Sequence, residues 1–378
     1  MNHALRRRRK PLSARPSRSA FVRGRSDGYR AGWEDGYWLG QSERTIKLAD
    51  TGPQPVRPVH VMYVPTGKGY PYSPLDEAIA ATLGTLVARL TIADRHDSVA
   101  ALAAELRPDV VLVLDGIHFD PAQADAVRAL GIRIAIWFTD DPYYTDLTAS
   151  LSLHYDDVFT LERRCVEFYR QAGCPRVYHL PLGVYPEHYR PRNAMPDKRK
   201  EISFVGSAYW NRVTVFDQIT AYLAKRNTHI SGIWWDRLPG YQQLAGRIAL
   251  NKWMEPAETA ETYSGAAIVI NLHRAPDDSS FNSNSRGIGA ISPNPRTFEI
   301  AACATLQLTD IREEIAAYYT PGAEIETYAS AEELVEKLDY YLSHEEERRA
   351  IAQRALLRTM REHTYAHRLS AMLAMLFD

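Results

Sequence analysis

A chain of 378 residues is long enough for two domains with substantial cores. Its formal net charge of −1 is unevenly spread: residues 1–30 carry Arg6, Arg7, Arg8, Arg9, Lys10, Arg15, Arg18, Arg23, Arg25 and Arg30 against Asp27 alone, so the remainder is acidic, which argues against a folded nucleic-acid binder. No apolar run approaches the roughly 18 residues of a membrane span, the Arg-rich start lacks a signal peptide's apolar core, and Cys165, Cys174 and Cys303 show no metal spacing, which fits a reducing cytoplasm.

Residues 1–26, rich in Arg, Ser and Pro, read as disordered. Gly28, Gly32, Gly36 and Gly40 then recur in steps of four, with Tyr29, Trp33, Tyr37 and Trp38 between them. On a helix this makes a glycine stripe beside aromatic rings. Each Gly costs roughly 1 kcal/mol against Ala, so such a helix needs a partner, and residues 1–50 are read as a tag for a coat protein or a polyanion, or else as a flexible leader. The prolines between Thr51 and Pro58 mark a linker.

Residues 51–190 alternate strands and helices. His60 to Val64 is a strand, followed by a loop with Gly67, Lys68 and Gly69 that lacks the spacing of a P-loop and reads as a cleft-facing turn for an acceptor or a phosphate. Ser73, Pro74 and Asp76 then supply an N-cap, an N1 proline and a capping-box acid for a helix running to about Leu90. Asp109 to Leu114 and Ile132 to Phe138 are buried strands flanking a helix from Pro121 to Leu130, an order that implies a parallel sheet. Asp140 and Asp141 follow directly on the strand ending at Phe138, with Pro142, Tyr143 and Tyr144 behind them. Acids at a strand's carboxyl end beside rings that stack on sugars suit a general base and an acceptor site; an Asp-Pro turn needs the same residues. Val158 to Leu161 and Val177 to Leu180 are further strands, with a helix from Glu162 closed by Gly173 between them.

Residues 191–345 open with the strand Ile202 to Val205, the turn at Gly206 and a helix that begins near Arg212; His229 to Trp235 is the next strand. A strand from Ile268 to Leu272 leads into a polar loop, Arg274 to Asn294, then a short helix and the strand Thr305 to Thr309. Asn294 is the N-cap, Pro295 suits the first helical position, and Arg296 adds positive charge where free N–H groups and the helix dipole favour an anion. Glu299 shares a face with Arg296, as a ribose-binding acid would, or as one half of a solvated ion pair. Asn271, His273 and Arg274 are further cleft candidates. Residues 346–378 are helical.

The stretches PNPRTFEIAACATLQLTD, AIWFTDDPYY, VFTLERRCVEFYRQAGCPRVYHLPLGVYPEHYRP, ISFVGSAYWNR and EHTYAHR resemble, in order, the CgeB-type spore maturation proteins, a GT-B glycosyltransferase-like family. The resemblance implies an α/β chain of two Rossmann-like domains with parallel sheets facing across a cleft, the last helix crossing back to the first domain. It also implies a glycosyl group moved from a nucleotide-diphosphate sugar, as co-substrate, to a saccharide or protein hydroxyl. No other cofactor and no metal is required, although Asp140-Asp141 and Asp277-Asp278 are acid pairs that suit one. Gly206, Arg212, Asn271, His273, Asn294, Arg296 and Glu299 fall on the donor side, Gly67, Lys68 and Tyr143 on the acceptor side. The expected location is cytoplasmic, at the forming spore coat. Two positions depart from the family: Ile291 stands where an earlier Glu is common, and Ala304 where Gly is usual. A catalytically degenerate coat or sugar-binding protein is the alternative reading.

Overall fold

The computed structural model describes residues 18–50, 52–94 and 96–378. Residues 1–17, which hold most of the basic leader, and Thr51, where the linker was expected to start, lie outside the described residues.

The chain divides after Gln41 into two units. The first is helical from Arg18, within a helix that spans Arg18–Ala49, so the disorder expected as far as residue 26 gives way to helix at Arg18. Local pairing supports it: Asp27 with Arg30, Tyr37 with Gln41, and Trp33 stacked on Tyr37 at 5.4 Å. Tyr29, Trp33 and Tyr37 are exposed.

The second unit is built on two six-stranded sheets in which every pairing is parallel. In the first, β1 (Arg57–Val64), β2 (Val87–Ile92), β3 (Val110–Leu114), β4 (Arg133–Phe138), β5 (Asp157–Thr160) and β6 (Val177–His179) lie in the order β2-β1-β3-β4-β5-β6. In the second, β7 (Lys200–Val205), β8 (Thr228–Gly232), β9 (Ile248–Leu250), β10 (Ala266–Asn271), β11 (Leu306–Asp310) and β12 (Glu326–Tyr328) lie in the order β12-β11-β10-β7-β8-β9. The apolar runs of β3 and β4 are buried on both faces, as a helix-covered parallel sheet demands.

Two sequence expectations need correction here. The helix that starts at Ser73 stops at Leu86, and Val87–Ile92 is a strand, because the β-branched Val87, Thr91 and Ile92 pair in register with β1. Tyr72, not Ser73, takes the N-cap position; Asp76 instead accepts from Thr66 N–H and Thr66 Oγ1 and so binds the loop that carries Gly67. The second sheet also uses Ala304 where the family has Gly: it sits in the left-handed region at φ +56, where an L side chain costs about 1–2 kcal/mol.

Apolar cores lie on both faces of each sheet. One face of the first sheet is covered by the helices Ser73–Leu86 and Tyr365–Phe377, the latter burying Leu369, Met372 and Leu373. The chain's last helix therefore packs on its first sheet. The two segments that pass between the halves touch each other: Val184 N–H donates to His363 O at 3.0 Å, and Tyr365 N–H donates to Val184 O at 2.9 Å. Within this unit, residues 42–49 of the long helix are anchored as well, through Ser42 and Thr45 to Gln353 and Glu43 to Arg190.

Gly183 lies at that crossing, where an added Cβ would stand 2.8 Å from His363 O and 3.0 Å from Thr364 C, both backbone atoms that cannot step aside. Gly84, by contrast, is in a helix with only Leu90 near it, at an ordinary 3.8 Å. Gly183→Ala is expected to lower the unfolding free energy by about 1–3 kcal/mol, whereas Gly84→Ala should raise it by up to about 1 kcal/mol; urea denaturation of both variants measures the two signs together.

Candidate functional site

The helix Pro295–Ala302 begins where β10 and β11 end. Asn294 caps it, its side-chain oxygen accepting from Thr297 N–H at 3.1 Å. Asn271, buried at the end of β10, exchanges amide hydrogen bonds with Asn294 at 2.9 and 3.2 Å and donates to Thr297 Oγ1 at 3.1 Å. His273 Nε2 accepts from Asn294 N–H at 3.0 Å, which requires that nitrogen to be unprotonated, and Nδ1–H then donates to Asp310 Oδ1 at 2.5 Å. Burial lowers the His273 pKa, in keeping with a neutral ring. Asn271 and His273 were expected to face a donor; their polar atoms are instead turned onto the helix start, because buried polar groups take the nearest unpaired partners. They hold the anion-favouring helix end rather than line the cleft.

Arg296 and Glu299 are different. Arg296 Nη1 is buried with no hydrogen-bond partner among the described residues, and the half-buried Glu299 carboxylate has none either. Burial raises the Glu299 pKa to about 7 while Arg296 pulls it the other way. Both line a cavity of about 210 Å³ together with Gly183, Tyr189, Met254 and Tyr263. Arg212 is buried in the first turn of the helix Trp210–Leu223 that follows β7, its Nε and Nη1 donating to Leu272 O and Ser207 O, each at 2.9 Å. Burial, and then repulsion from Arg296, lowers its pKa to about 9. A Cβ on Gly206 would stand 3.0 Å from Arg212 Nη1, so glycine leaves room for the guanidinium.

Across the cleft, Lys68 Nζ lies 2.7 Å from Asp115 Oδ2 and 3.7 Å from Asp140 Oδ2, with Tyr72 OH donating to Asp140 Oδ2 at 3.3 Å. Burial and the neighbouring Asp115 raise the Asp140 pKa, and Lys68 and Arg274 oppose the rise. Asp140 thus stands at the end of β4 among a cation, a phenol and a second acid. Asp141 does not share this place. It is 2 % exposed, Thr160 Oγ1 donates to its Oδ2 at 2.6 Å and Tyr169 OH to its Oδ1 at 2.8 Å, and burial raises its pKa to about 7. The catalytic role expected of it gives way to a structural placement: its carboxylate is taken up by Thr160 and Tyr169, while that of Asp140 stands with Lys68 and Tyr72.

The centre of the cleft is closed by residues 274–294. Ser283 N–H donates to Tyr143 O at 2.8 Å and Asp146 N–H to Ser283 O at 2.9 Å; the Asp146 carboxylate accepts from Ser285 N–H and Oγ. Farther along, Glu162 Oε2 accepts from Ile291 and Ser292 N–H, both at 3.0 Å. Arg274 lies 4.4 Å from the ring of Tyr143 and 4.5 Å from that of Tyr209, with its Nε buried and unbonded, while Tyr143 OH donates to Arg274 O. Arg296 and Glu299 thus share one cavity, Lys68 and Asp140 stand together with Asp115 and Tyr72, and Arg274 joins Tyr143 to the second half; Gly67, in the turn before Lys68, has φ +60. Asp115 and Tyr72 were not anticipated. Asp115 follows β3 as Asp140 follows β4, so a strand ending in an acid was the available signal. Among the described residues no group of three or more His, Cys, Asp or Glu is placed to hold a metal ion.

Residues 212–374 match the sequence model of a glycosyl transferase-like family. The chain is 29 % identical over 294 residues to spore protein CgeB of Bacillus subtilis, covering 77 % of this chain and 90 % of that one. In fold it resembles a glycosyltransferase from Rickettsia africae, with a TM-score of 0.59 at 13 % identity over 85 % of this chain and 98 % of that one. It resembles equally Anabaena HepE in complex with UDP-glucose, with a TM-score of 0.59 at 9 % identity over 84 % and 99 %. The fold is that of the GT-B glycosyltransferases. No helix among the described residues is long and apolar enough to cross a membrane.

Asp141 makes a pH prediction. A carboxyl whose pKa is raised from about 4 to about 7 on folding binds its proton more tightly in the native state, so its contribution to stability declines as pH rises from about 4 to 7. Asp141→Asn should remove that component, up to about 1.4 kcal/mol per pH unit, and flatten the stability profile over this window in chemical denaturation series.

Proposed function

We propose that this chain is a glycosyltransferase that moves a sugar from a nucleotide-diphosphate donor to a hydroxyl on a saccharide or protein acceptor. The observation that carries the reading is the unpartnered pair Arg296 and Glu299 at the edge of a cavity and at the start of a capped helix. A ribose diol donates to the Glu299 carboxylate. The diphosphate meets the helix N-terminus and Arg296, with the buried charge of Arg212 behind it. These cations stabilise the leaving nucleotide diphosphate as the glycosidic bond breaks. Asp140, whose pKa is raised by burial, accepts the proton of the acceptor hydroxyl as it attacks, and Lys68 and Tyr72 hold the carboxylate for that step. Residues 274–294 cover the reacting centre against water.

The UDP-glucose bound by HepE supports a uridine nucleotide as donor, and the similarity to spore protein CgeB supports work at the spore surface, with a coat protein or a polyanion as a partner of residues 1–50. The second reading, a sugar-binding coat protein that has lost turnover, draws on Ile291 in place of the family's earlier Glu.

Thermal unfolding with UDP-glucose separates these. At about 100 times its dissociation constant the donor should add about 2.7 kcal/mol of stability, and Glu299→Gln should cancel most of that shift without lowering the melting temperature of the free protein. Donor affinity should rise with pH through about 7, since the ionised Glu299 is the form that accepts from the ribose, and the Gln variant should lose this dependence. For Asp140→Asn the expected result is donor binding within about twofold of the parent and transfer reduced by about 10²-fold or more. Donor binding without any transfer by the parent protein would favour the coat-protein reading.

A further inference from the structure

Outside the donor cavity and the Asp140 cluster, the carboxyl ends of β7 and β8 carry a group of side chains with no part in the scheme above. Arg237 lies with its guanidinium carbon 4.9 Å from the ring of Trp210, 5.0 Å from that of Trp234 and 5.3 Å from that of Phe281. Trp234 and Phe281 stack at 4.7 Å, and Trp234 holds the left-handed conformation at φ +68, a backbone region that disfavours a bulky L residue. Trp210 is 46 % exposed. Arg237 Nη1 is buried without a hydrogen-bond partner, and the guanidinium has no carboxylate partner among the described residues.

A cation enclosed by rings and lacking a counter-ion is an incomplete pair. Burying it costs free energy that aromatic faces offset only in part, whereas an anion approaching from the solvent side would complete it with charge-assisted hydrogen bonds. Trp210 beside it is 46 % exposed, leaving indole surface of the kind on which the C–H face of a pyranose packs. The group is joined to the cleft by contact: Phe281 packs on Tyr209 at 5.4 Å, and Tyr209 packs on Arg274, which faces Tyr143. Arg274 likewise has no ion-pair partner among the described residues. Arg212 and Arg296 already supply the charge for a diphosphate, so Arg237 and Arg274 are cations in excess of the donor's need.

We propose that Trp210, Trp234, Phe281 and Arg237 form a subsite for an acidic saccharide, the pyranose ring lying on Trp210 and its anionic substituent meeting Arg237. The transferase reading is what makes this ligand an acceptor; the subsite itself rests only on the contacts above.

The test uses the full chain and measures binding by quenching of tryptophan fluorescence and by calorimetry. The probes are a glucuronate-containing disaccharide, the same disaccharide with the carboxylate reduced to hydroxymethyl, and a disaccharide phosphate; UDP-glucose is titrated alongside. The acidic disaccharides should bind at least tenfold more tightly than the neutral one. Arg237→Gln should remove that preference while leaving the neutral affinity and the UDP-glucose affinity within about twofold, and Trp210→Ala should weaken every saccharide. A preference for the phosphate over the carboxylate, or the reverse, identifies the anion the subsite takes. Equal binding of acidic and neutral probes, an unchanged preference in Arg237→Gln, or no saccharide binding by a protein that binds UDP-glucose would overturn the subsite. Saccharide preference without UDP-glucose binding would sustain the subsite and overturn the donor reading instead.

Discussion

The backbone hydrogen bonds that Ser283 makes with Tyr143 and Asp146 hold the candidate site together. Each sheet presents its strand ends to the cleft, but nothing in a parallel sheet dictates how far apart two such sets of ends should stand. The segment 274–294 decides it. It leaves β10 in the second half, bonds to Tyr143 and Asp146 in the first, and is pinned again where Glu162 accepts from Ile291 and Ser292. The loop that separates Arg274 from Arg296 in sequence thus carries the contacts to Tyr143 and Asp146 in the first half. The contact between Val184 and the segment 363–365 repeats the arrangement at the opposite side of the crossing, so the halves are joined both at their strand ends and at their chain crossings.

The electrostatics of the cleft follow from what is paired and what is not. Asp310 is engaged by His273 and Arg312, and Asp115 by Lys68, so these charges are satisfied within the fold. Arg212 is bonded to backbone carbonyls alone, and Arg296 and Arg274 each carry a buried nitrogen with no partner. Buried guanidinium groups without carboxylates are costly in a free protein. Their concentration at the ends of β7 and β10 and at one helix start is the physical basis for reading the cleft as an anion site, independently of resemblance. The raised pKa of Glu299 belongs to the same account: an acid held in a partly dry cavity beside one arginine is poised to gain hydrogen-bond donors from a ligand.

Buried polar residues near such a site serve two purposes, and only geometry separates them. Asn271 and His273 complete the cap at Asn294, Asp76 binds the loop of Lys68, and Asp141 ties β4 to Thr160 and Tyr169. Each is a support for a residue that does face the cleft. Position at a strand's carboxyl end is all that the sequence shows of Asn271, His273 and Asp141, and it does not distinguish a support from a residue open to the cleft.

The sequence by itself determined the alternation of strands and helices, the all-parallel character of the sheets, the cap at Asn294 and the placement of Arg296 and Glu299 on one short helix. These depend on residue periodicity and on contacts a few positions apart, which local composition encodes. The Val87–Ile92 strand is not legible as one in local sequence, because its pairing with β1 is a non-local contact. The tertiary structure alone decided which of Asp140 and Asp141 reaches the cleft, that Asp115 joins Lys68, that residues 274–294 dock on the first half, and that Arg237 is enclosed by Trp210, Trp234 and Phe281. In each case the deciding partner lies far away in the chain, and whether a charged group is paired, supported or left open to a ligand is fixed only when those distant segments pack.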